Sequence, residues 1–260
     1  TVEINQNVRA RDVFVVQSTC HPVNENIMEL LIILDSLKRA SASRITVVLP
    51  YYGYARQDRK AEGRVPITAK LVANLLTSAG AQRVLTLDLH AAQIQGFFDI
   101  PVDHLYASPV ILKHVRRLNF DLRDAVVLSP DEGSVKRALR YQKKLNLNMA
   151  IVDKRRSGPD QVEAANLIGA SLEGKTALIF DDMISTGGTV VNAARTARTL
   201  GKAKSVYIFA THGVLCGDAI PRLRDAPVER VIITDSIPLT AEKQLPNIDE
   251  TEKRTTRDRQ

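Results

Sequence analysis

Residues 177–194 read ALIFDDMISTGGTVVNAA, and this stretch decides the fold. An apolar run ends in Asp181 and Asp182, a loop of small residues follows, and a helical pattern begins after the loop. A short and continuously apolar run is typical of a strand that is covered on both faces, as in a parallel sheet. We therefore expect a strand–loop–helix unit whose two acids lie at the carboxyl end of the strand, where open α/β sheets bind ligands.

The loop after the two acids has the composition of an anion site. It consists of Ser185, Thr186, Gly187, Gly188 and Thr189. Glycines let backbone N–H groups turn inward, hydroxyls add donors, and the helix N-terminus favours negative charge. The alternative is an ordinary turn with Ser and Thr as helix caps and two solvated acids. The length of the pattern DDMISTGGT favours a phosphate site.

The two acids restrict the kind of phosphate compound that fits. Carboxylates repel a bare phosphate, but ionised carboxylates accept hydrogen bonds from the hydroxyls of a sugar cis-diol. Ribose 5-phosphate carries both a phosphate and such hydroxyls. We therefore predict that Asp181, Asp182 and the loop that follows them bind ribose 5-phosphate.

The same alternation of strands and helices continues along most of the chain. The predicted strands are DVFVVQ, RITVVLP, RVLTLDL, AVVLSP, MAIVD, TALIFDD, KSVYIFA and RVIITD. The predicted helices are NENIMELLIILDSLKRA, PITAKLVANLLTSAG, SPVILKHVRRL, GSVKRALRYQKKL and TVVNAARTARTLG. Repeated βα units favour mainly parallel sheets flanked by helices.

An internal similarity indicates two such α/β domains in tandem. The segments LLTSAGAQRVLTLDLHA and ARTLGKAKSVYIFATHG share the order helix, Gly, basic residue, strand and His. We predict an N-terminal domain over residues 1–106, a C-terminal domain over residues 107–240 and a charged, solvated tail over residues 241–260.

The amino-acid composition limits the kinds of partner that suit this chain. The net charge of +7 suits either nucleic acid or phosphorylated small molecules. We find no RNP, helix-turn-helix or zinc-finger pattern, so we predict no nucleic-acid partner. The only cysteines, Cys20 and Cys216, are far apart, which disfavours a disulfide framework or a zinc site. Without a signal peptide or an apolar run of spanning length, we expect a soluble cytoplasmic protein with no membrane partner.

The stretch DDMISTGGT resembles the phosphoribosyl diphosphate (PRPP) motif of type I phosphoribosyltransferases and of ribose-phosphate diphosphokinase, also called PRPP synthetase. The segments YGYARQDRK, LDLHAAQIQGFFDIPVDHLYA, DKRR and THGVL resemble the second family in order and spacing, and the similarity covers about residues 2–240. The resemblance implies two tandem domains of the type I phosphoribosyltransferase kind. It also implies transfer of the β,γ-diphosphoryl group of MgATP to the C1 hydroxyl of ribose 5-phosphate, giving PRPP and AMP for nucleotide biosynthesis.

The resemblance implies roles for residues outside the ribose loop. Arg56 and Gln57 in YGYARQDRK bind ATP. His90 in LDLHAAQ helps to hold the Mg²⁺ of MgATP, and Asp88, on the same strand face, is placed to orient the imidazole. Asp131 in LSPDEGSVKRA matches a diphosphate loop and a second metal position. Phosphate oxygens and water then complete the metal shells, because Mg²⁺ prefers oxygen ligands.

The segment IVDKRRSGPDQ carries the two residues that the resemblance assigns to catalysis, Lys154 and Arg156. Read alone, this segment is more typical of a solvated turn. In the family these cations close over the reacting phosphates, where positioned charge supplies most of the rate enhancement. Arg156 is also a predicted contact of ribose 5-phosphate.

Three positions depart from the family pattern. Ser134 replaces the second glycine of the diphosphate loop, where it is either strained, if φ is positive, or an additional donor. Ser185 stands where the family often has Asp, so one negative charge is lost. Asn7 stands where Ser is frequent. The family's usual N-terminal segment and C-terminal end are also not found here, so we name no adenine contacts.

The resemblance further implies dimers that assemble into hexamers and respond to phosphate. Arg9, Ser41 and Arg64 match the possible allosteric phosphate site, although Arg64 also suits a solvated loop. Two other functions stay open at this point: a non-catalytic regulatory subunit similar to PRPP synthetase, and a PRPP-consuming transferase.

Overall fold

A computed structural model describes residues 2–60, 62–118, 120–155 and 164–251, without the side chains of residues 154, 155, 164 and 165. The chain divides into two compact units, residues 1–107 and residues 108–260. The boundary that the sequence predicts, after residue 106, lies one residue earlier. Each unit has its own hydrophobic core and is described separately below.

The first unit is built on a parallel sheet of four strands in the order β1-β2-β3-β4. The strands are β1 Asp12–Val16, β2 Arg44–Leu49, β3 Arg83–Leu87 and β4 Val102–Leu105. The helices are α1 Val23–Arg39 and α2 Thr68–Ala79, and a 3-10 helix spans Ala92–Phe97. Leu34 of α1, Leu76 of α2 and Val47 of β2 are fully buried and belong to one core cluster. Burial of such side chains stabilises the unit by about 1.5–3 kcal/mol each.

The second unit contains a sheet of seven strands in the order β11-β10-β9-β8-β5-β6-β7. The strands are β5 Ala125–Ser129, β6 Asn148–Arg155, β7 Ala164–Gly169, β8 Thr176–Ile184, β9 Ser205–Gly213, β10 Arg230–Ile233 and β11 Ile248–Glu250. Neighbouring strands are parallel except for the antiparallel pair of β6 and β7.

Helices and stacked aromatic rings complete the second unit. The helices are α3 Ser108–Val115, α4 Val135–Leu145, α5 Gly188–Thr199 and α6 Ala219–Arg224, with 3-10 helices at Leu122–Asp124 and Ala241–Lys243. Phe180 of β8 is fully buried and stacks on Tyr141 of α4, with ring centroids 3.9 Å apart. This contact packs α4 against the strand that carries the two acids.

The predicted fold class is confirmed, because both units are mainly parallel sheets flanked by helices. All eight predicted strands and all five predicted helices are present. Strands β4, β7 and β11 and helix α6 were not predicted. Within the described part of the chain, no helix is both long enough and apolar enough to cross a membrane.

The predicted tail begins too early in the sequence. Residues 248–250 form β11, which pairs with β10 through Val231 and Ile248. Ile248 is buried in the core of the second unit, and Leu245 packs against that core. These two apolar side chains hold the segment on the sheet despite its charged neighbours. Residues 252–260 lie outside the described residues.

Candidate functional site

The predicted ribose phosphate loop lies between β8 and α5. Strand β8 ends at Ile184, and α5 begins at Gly188. Gly187 is the N-cap residue and has φ 76° and ψ −7°, a left-handed conformation that favours glycine. The N–H of Cys216 donates to the carbonyl of Ser185 at 3.0 Å, which ties the loop to the segment after β9. The end of β8, the loop and the start of α5 therefore form the strand–loop–helix arrangement in which anions bind at a helix N-terminus.

Helix α6 supports the same loop from a third segment. Arg222 Nη1 donates to the carbonyl of Thr186 at 3.2 Å, and Arg222 Nη2 lies 3.5 Å from the carboxylate of Asp218. This arginine was not predicted from the sequence. It adds a positive charge beside a loop that is predicted to bind a phosphate, and its hydrogen bond restrains the loop backbone.

A single arginine holds the two acids of the predicted ribose site. Arg137 of α4 donates through Nη1 to Asp181 Oδ1 at 2.6 Å, and its Nη2 lies 2.8 Å from Asp182 Oδ1. The three side chains are 18%, 13% and 5% exposed, in the order Arg137, Asp181, Asp182. The N–H of Asp182 also donates to Asp181 Oδ1 at 2.9 Å. The carboxylates are thus fixed before any ligand binds.

The electrostatics of this cluster resist the ionisation of both acids at once. Burial raises the pKa of Asp181 well above its usual range; Arg137 acts in the opposite direction, and the neighbouring Asp182 raises it further. One guanidinium balances only one of two carboxylates. The cluster therefore favours ligand groups that donate hydrogen bonds, such as sugar hydroxyls.

The predicted diphosphate loop precedes α4 and is closed by its own acid. Asp131 Oδ1 accepts a hydrogen bond from the N–H of Ser134 at 2.8 Å, and Ser129 Oγ donates to the carbonyl of Asp131 at 2.8 Å. Ser134 has φ −88° and ψ −4°, so the position does not need a positive φ and the serine is unstrained. Its role as an additional donor stays a prediction.

The predicted ATP segment is anchored to the first unit by a buried glycine contact. The N–H of Gly53 donates to Thr19 Oγ1 at 2.7 Å, and Tyr52 Oη donates to the carbonyl of Ala69 at 2.7 Å. Arg56 and Gln57 follow in a turn, and both side chains are exposed. The anchor therefore positions a short turn whose two predicted ligand-binding side chains face solvent.

His90 lies in a turn beyond β3. The strand ends one residue before Asp88, which has φ 39°, so the prediction that Asp88 and His90 share a strand face is wrong. Asp88 Oδ2 accepts from the N–H of Ala107 at 2.9 Å, and His104 Nε2 accepts from the N–H of Leu89 at 2.9 Å. Two side-chain bonds thus hold the turn that presents His90. Orientation of the imidazole by Asp88 stays a prediction.

The predicted metal residues His90 and Asp131 suit an ion that takes part of its shell from substrates and water. Among the described residues, no three His, Cys, Asp or Glu side chains come together as a metal site. Mg²⁺ is commonly held by one or two carboxylates together with substrate phosphates and water. One oxygen of Asp131 is engaged by Ser134, and the second oxygen fits this kind of coordination.

Only part of the predicted catalytic pair can be located. Lys154 lies in β6, opposite Ala165 of β7, but its side chain is outside the described residues. Arg156 is outside them entirely. The catalytic roles of both residues stay predictions.

The predicted allosteric residues lie in the first unit. The N–H of Ala10 donates to the carbonyl of Ser41 at 2.9 Å, which brings Arg9 and Ser41 to neighbouring segments. Asn7 Oδ1 accepts from the N–H of Arg9 at 3.1 Å, so the residue at this variant position stabilises the local turn. Arg64 is exposed and follows the ATP segment.

Known proteins with similar sequences carry the same name. The ribose-phosphate pyrophosphokinase of Rhodopirellula baltica is 62% identical over 246 residues, which cover 95% of this chain and 78% of that protein. The ribose-phosphate pyrophosphokinase of Chromobacterium violaceum is 55% identical over 249 residues, covering 95% of this chain and 75% of that protein. The crystal structure of phosphoribosylpyrophosphate synthetase from Mycobacterium smegmatis superposes with a TM-score of 0.89 at 43% identity, over 96% of this chain and 81% of that chain.

The parallel sheets, the paired acids and the glycine-containing loop that opens α5 define an α/β protein of the type I phosphoribosyltransferase kind. Family profiles make the assignment more specific. The profile of the N-terminal domain of ribose phosphate pyrophosphokinase matches residues 1–80, and that of the phosphoribosyl synthetase-associated domain matches residues 154–249. The chain belongs to the ribose-phosphate pyrophosphokinase family. The resemblance seen in the sequence is confirmed, and the interpretation as a PRPP-consuming transferase is set aside.

Proposed function

We propose that the chain transfers the β,γ-diphosphoryl group of ATP to the C1 hydroxyl of ribose 5-phosphate, giving PRPP and AMP. Family membership supports this reaction, and the cluster of Arg137, Asp181 and Asp182 beside the loop of residues 185–189 is the structural observation behind it. The carboxylates accept hydrogen bonds from the ribose hydroxyls, and the loop donates hydrogen bonds to the 5-phosphate.

The reaction forms one bond and breaks one bond at phosphorus. The C1 hydroxyl oxygen attacks the β-phosphorus of ATP, the bond from that phosphorus to the α,β-bridging oxygen breaks, and AMP leaves with that oxygen. The hydroxyl proton is released. Such transfers depend on positioning and on charge stabilisation more than on covalent help from the protein. We assign the charge stabilisation to Lys154 and Arg156, and the binding of ATP to Arg56 and Gln57.

Mg²⁺ is the metal implied by the family, and the carboxylate of Asp131 together with the substrate phosphates supplies the oxygen ligands that it prefers. His90 would contact the metal of MgATP, and Asp131 would hold a second ion through the oxygen that Ser134 does not engage. When bound, the metal neutralises phosphate charge and orients the diphosphoryl group. The loop closed by Asp131 and Ser134 keeps the carboxylate in place at the start of α4.

Product analysis tests the reaction directly. The purified chain with MgATP and ribose 5-phosphate should release one AMP for each PRPP formed. ADP as the nucleotide product would indicate a simple kinase and contradict the proposal. Lys154→Ala should slow AMP release by roughly 100-fold or more. Lys202→Ala, which removes an exposed lysine 3.9 Å from Glu173, is the matched control and should leave the rate unchanged.

The second candidate, a non-catalytic regulatory subunit, draws support from the departures from the family pattern at Ser134 and Ser185. Ser134 no longer supports a non-catalytic subunit, because its backbone conformation is unstrained. A regulatory subunit would bind ribose 5-phosphate without releasing AMP, so the same assay separates the two functions.

Assembly, regulation and location extend the proposal. We expect a homo-oligomer, dimers assembling into hexamers, in the cytoplasm, with activity that rises with inorganic phosphate. Arg9, Ser41 and Arg64 are the proposed phosphate ligands, and Arg64→Ala should remove the phosphate response while AMP release persists. A monomer by light scattering, with activity indifferent to phosphate, would contradict this extension.

A further inference from the structure

Arg137 has so far been given no role of its own in the reaction, yet it contacts both acids of the ribose site. We propose that Arg137 is a positioning residue that holds Asp181 and Asp182 for the 2- and 3-hydroxyls of ribose 5-phosphate. It thereby sets both the affinity for this sugar and the preference for a sugar that carries both hydroxyls. The inference rests on the proposed function, because it deepens the role of the same site.

The geometry is that of a planar fork shared between two acceptors. Nη1 of Arg137 contacts Asp181 Oδ1 at 2.6 Å, and Nη2 contacts Asp182 Oδ1 at 2.8 Å. A guanidinium presents its donors in fixed directions, so two bonds to it restrict the rotation of both carboxylates. The backbone bond from the N–H of Asp182 to Asp181 Oδ1 adds a third restraint.

Burial makes these contacts matter more than they would at the surface. The three side chains are at most 18% exposed, so water screens their interaction only weakly. A guanidinium stays protonated at any working pH, whereas two adjacent carboxylates without a cation resist being ionised together. Arg137 therefore lowers the pKa of Asp181 against the effect of burial and favours the ionised form that accepts hydrogen bonds from sugar hydroxyls.

The position of Arg137 in α4 suggests two other roles that must be separated from this one. The helix begins directly after the predicted diphosphate loop, so the guanidinium has an alternative target in the transferred diphosphoryl group. It also joins α4 to β8, which is a purely structural role. The three roles predict different effects of mutating Arg137 on KM, on kcat and on the pH profile.

The central test compares Arg137→Gln with Lys136→Gln in the full chain. Both changes remove one positive charge from the first turn of α4, and Lys136 is exposed. We expect Arg137→Gln to raise the KM for ribose 5-phosphate about 10- to 100-fold, as is typical for losing hydrogen bonds to charged groups, with a smaller change in kcat and in the KM for ATP. The preference for ribose 5-phosphate over 2-deoxyribose 5-phosphate should fall. Lys136→Gln should leave all of these values within about twofold of wild type.

The pH profile supplies a readout that a structural role would not move. Among the described residues, the charged groups that bear on Asp181 are Arg137 from α4 and Asp182 from its own strand. Arg137 lowers the pKa of Asp181, so its removal should move the acid limb of kcat/KM for ribose 5-phosphate to higher pH. The phosphates of the substrates titrate identically with both proteins, so the difference between the two profiles reports the enzyme.

Arg137→Lys is the conservative variant. Its ammonium keeps the charge but cannot fork onto two carboxylates, so we expect a KM for ribose 5-phosphate between those of wild type and Arg137→Gln. If Arg137→Gln shows no cooperative thermal transition, Arg137→Lys takes its place in the comparisons above.

Calorimetric binding of ribose 5-phosphate separates this inference from the proposed reaction. Absence of AMP from wild type would defeat the reaction, but weaker binding of ribose 5-phosphate by Arg137→Gln than by wild type would still support positioning. Equal binding by the two proteins, whether tight or absent, would overturn it. A loss confined to kcat would place the guanidinium on the diphosphoryl group and overturn it as well.

Discussion

Gly53→Ala should damage the ATP segment from a position that touches no predicted ligand. A Cβ added at residue 53 would lie 2.5 Å from the carbonyl oxygen of Thr19 and 2.9 Å from Cγ1 of Val23. Real contacts of this kind are essentially never shorter than 3.0 Å, so the backbone on one side has to move. The hydroxyl of Thr19, which accepts the N–H of Gly53 at 2.7 Å, would be displaced too.

The magnitude follows from these contacts. Overpacking of a buried site costs about 1–3 kcal/mol. At 2 kcal/mol, the melting temperature should fall by about 4–8 °C, taking the 2–4 °C per kcal/mol typical of chains near this size. Arg56 and Gln57 follow within four residues, and displacement of binding groups by about 1 Å can reduce rates by about 100-fold. We expect the KM for ATP to rise about 10-fold or more, while the KM for ribose 5-phosphate stays within about twofold.

Gly63→Ala is the matched control in the loop after the same segment. Nothing lies within 4 Å of a Cβ at that position, and its φ is outside the left-handed range. Its melting temperature should therefore stay equal to or slightly above that of wild type. Steady-state kinetics with each substrate varied in turn, together with thermal unfolding, provide the assay. An unchanged KM for ATP in Gly53→Ala would refute the link between this close contact and the nucleotide site.

Three further predictions concern the second unit. The fold raises the pKa of Asp181, so the free energy of unfolding falls as the pH rises from about 4 towards the raised pKa and this acid ionises. Asp181→Asn should remove this loss of stability. Chemical unfolding should thus find the variant more stable than wild type at neutral pH but not below about pH 4, while ribose 5-phosphate binds more weakly. Arg222→Ala should raise the KM for ribose 5-phosphate about 3- to 10-fold, because it removes the hydrogen bond that restrains the predicted phosphate loop. Arg224 is exposed on the same helix, and Arg224→Ala should leave this KM unchanged. Equal effects of the two changes would argue against a role of Arg222 in restraining the loop. Asp131→Asn should keep an acceptor for the N–H of Ser134, and hence the melting temperature, but the variant should require more Mg²⁺ for activity. Asp131→Ala should show the same requirement and also lose about 1 kcal/mol of stability. An unchanged Mg²⁺ requirement in both variants would remove this acid from the metal site.

Much of the fold was predictable because the buried strands are apolar along their whole length. Strand β8 reads TALIFDDMI, and its first five residues are all buried, so the sequence signal and the structure coincide. The conformation of the predicted phosphate loop was indicated by the sequence for a related reason. Gly187 adopts a left-handed conformation that few other residues tolerate, and the two glycines in sequence indicate such a turn.

The elements that were missed are short and depend on their partners. Strand β4 reads VDHL, and its place at the edge of the first sheet comes from pairing with β3 rather than from an apolar run. Strand β11 is three residues long and is fixed by the burial of Ile248. Helix α6 has six residues, which is too few for a helical period to stand out from the surrounding sequence.

The contact between Arg137 and the two acids was invisible in the sequence for a different reason. Arg137 and Asp181 are 44 positions apart in the sequence, and only the packing of α4 on β8 brings them together. A basic residue in a helix with several others gives no local signal of a buried ion pair. Sequence patterns identify chemistry that lies within one segment, whereas a charge shared between segments appears only once the tertiary packing is known.

The shared guanidinium has a consequence for anyone who wishes to redesign this enzyme for another sugar. The obvious strategy is to exchange Asp181 and Asp182 for neutral residues that suit the new hydroxyl pattern. That exchange would leave Arg137, which is 18% exposed, without a counter-charge; removing one partner of a buried pair costs about 3–5 kcal/mol, and the partial exposure of Arg137 reduces that cost. Redesign must therefore treat the helix and the strand as one unit of specificity, altering all three side chains in the same step.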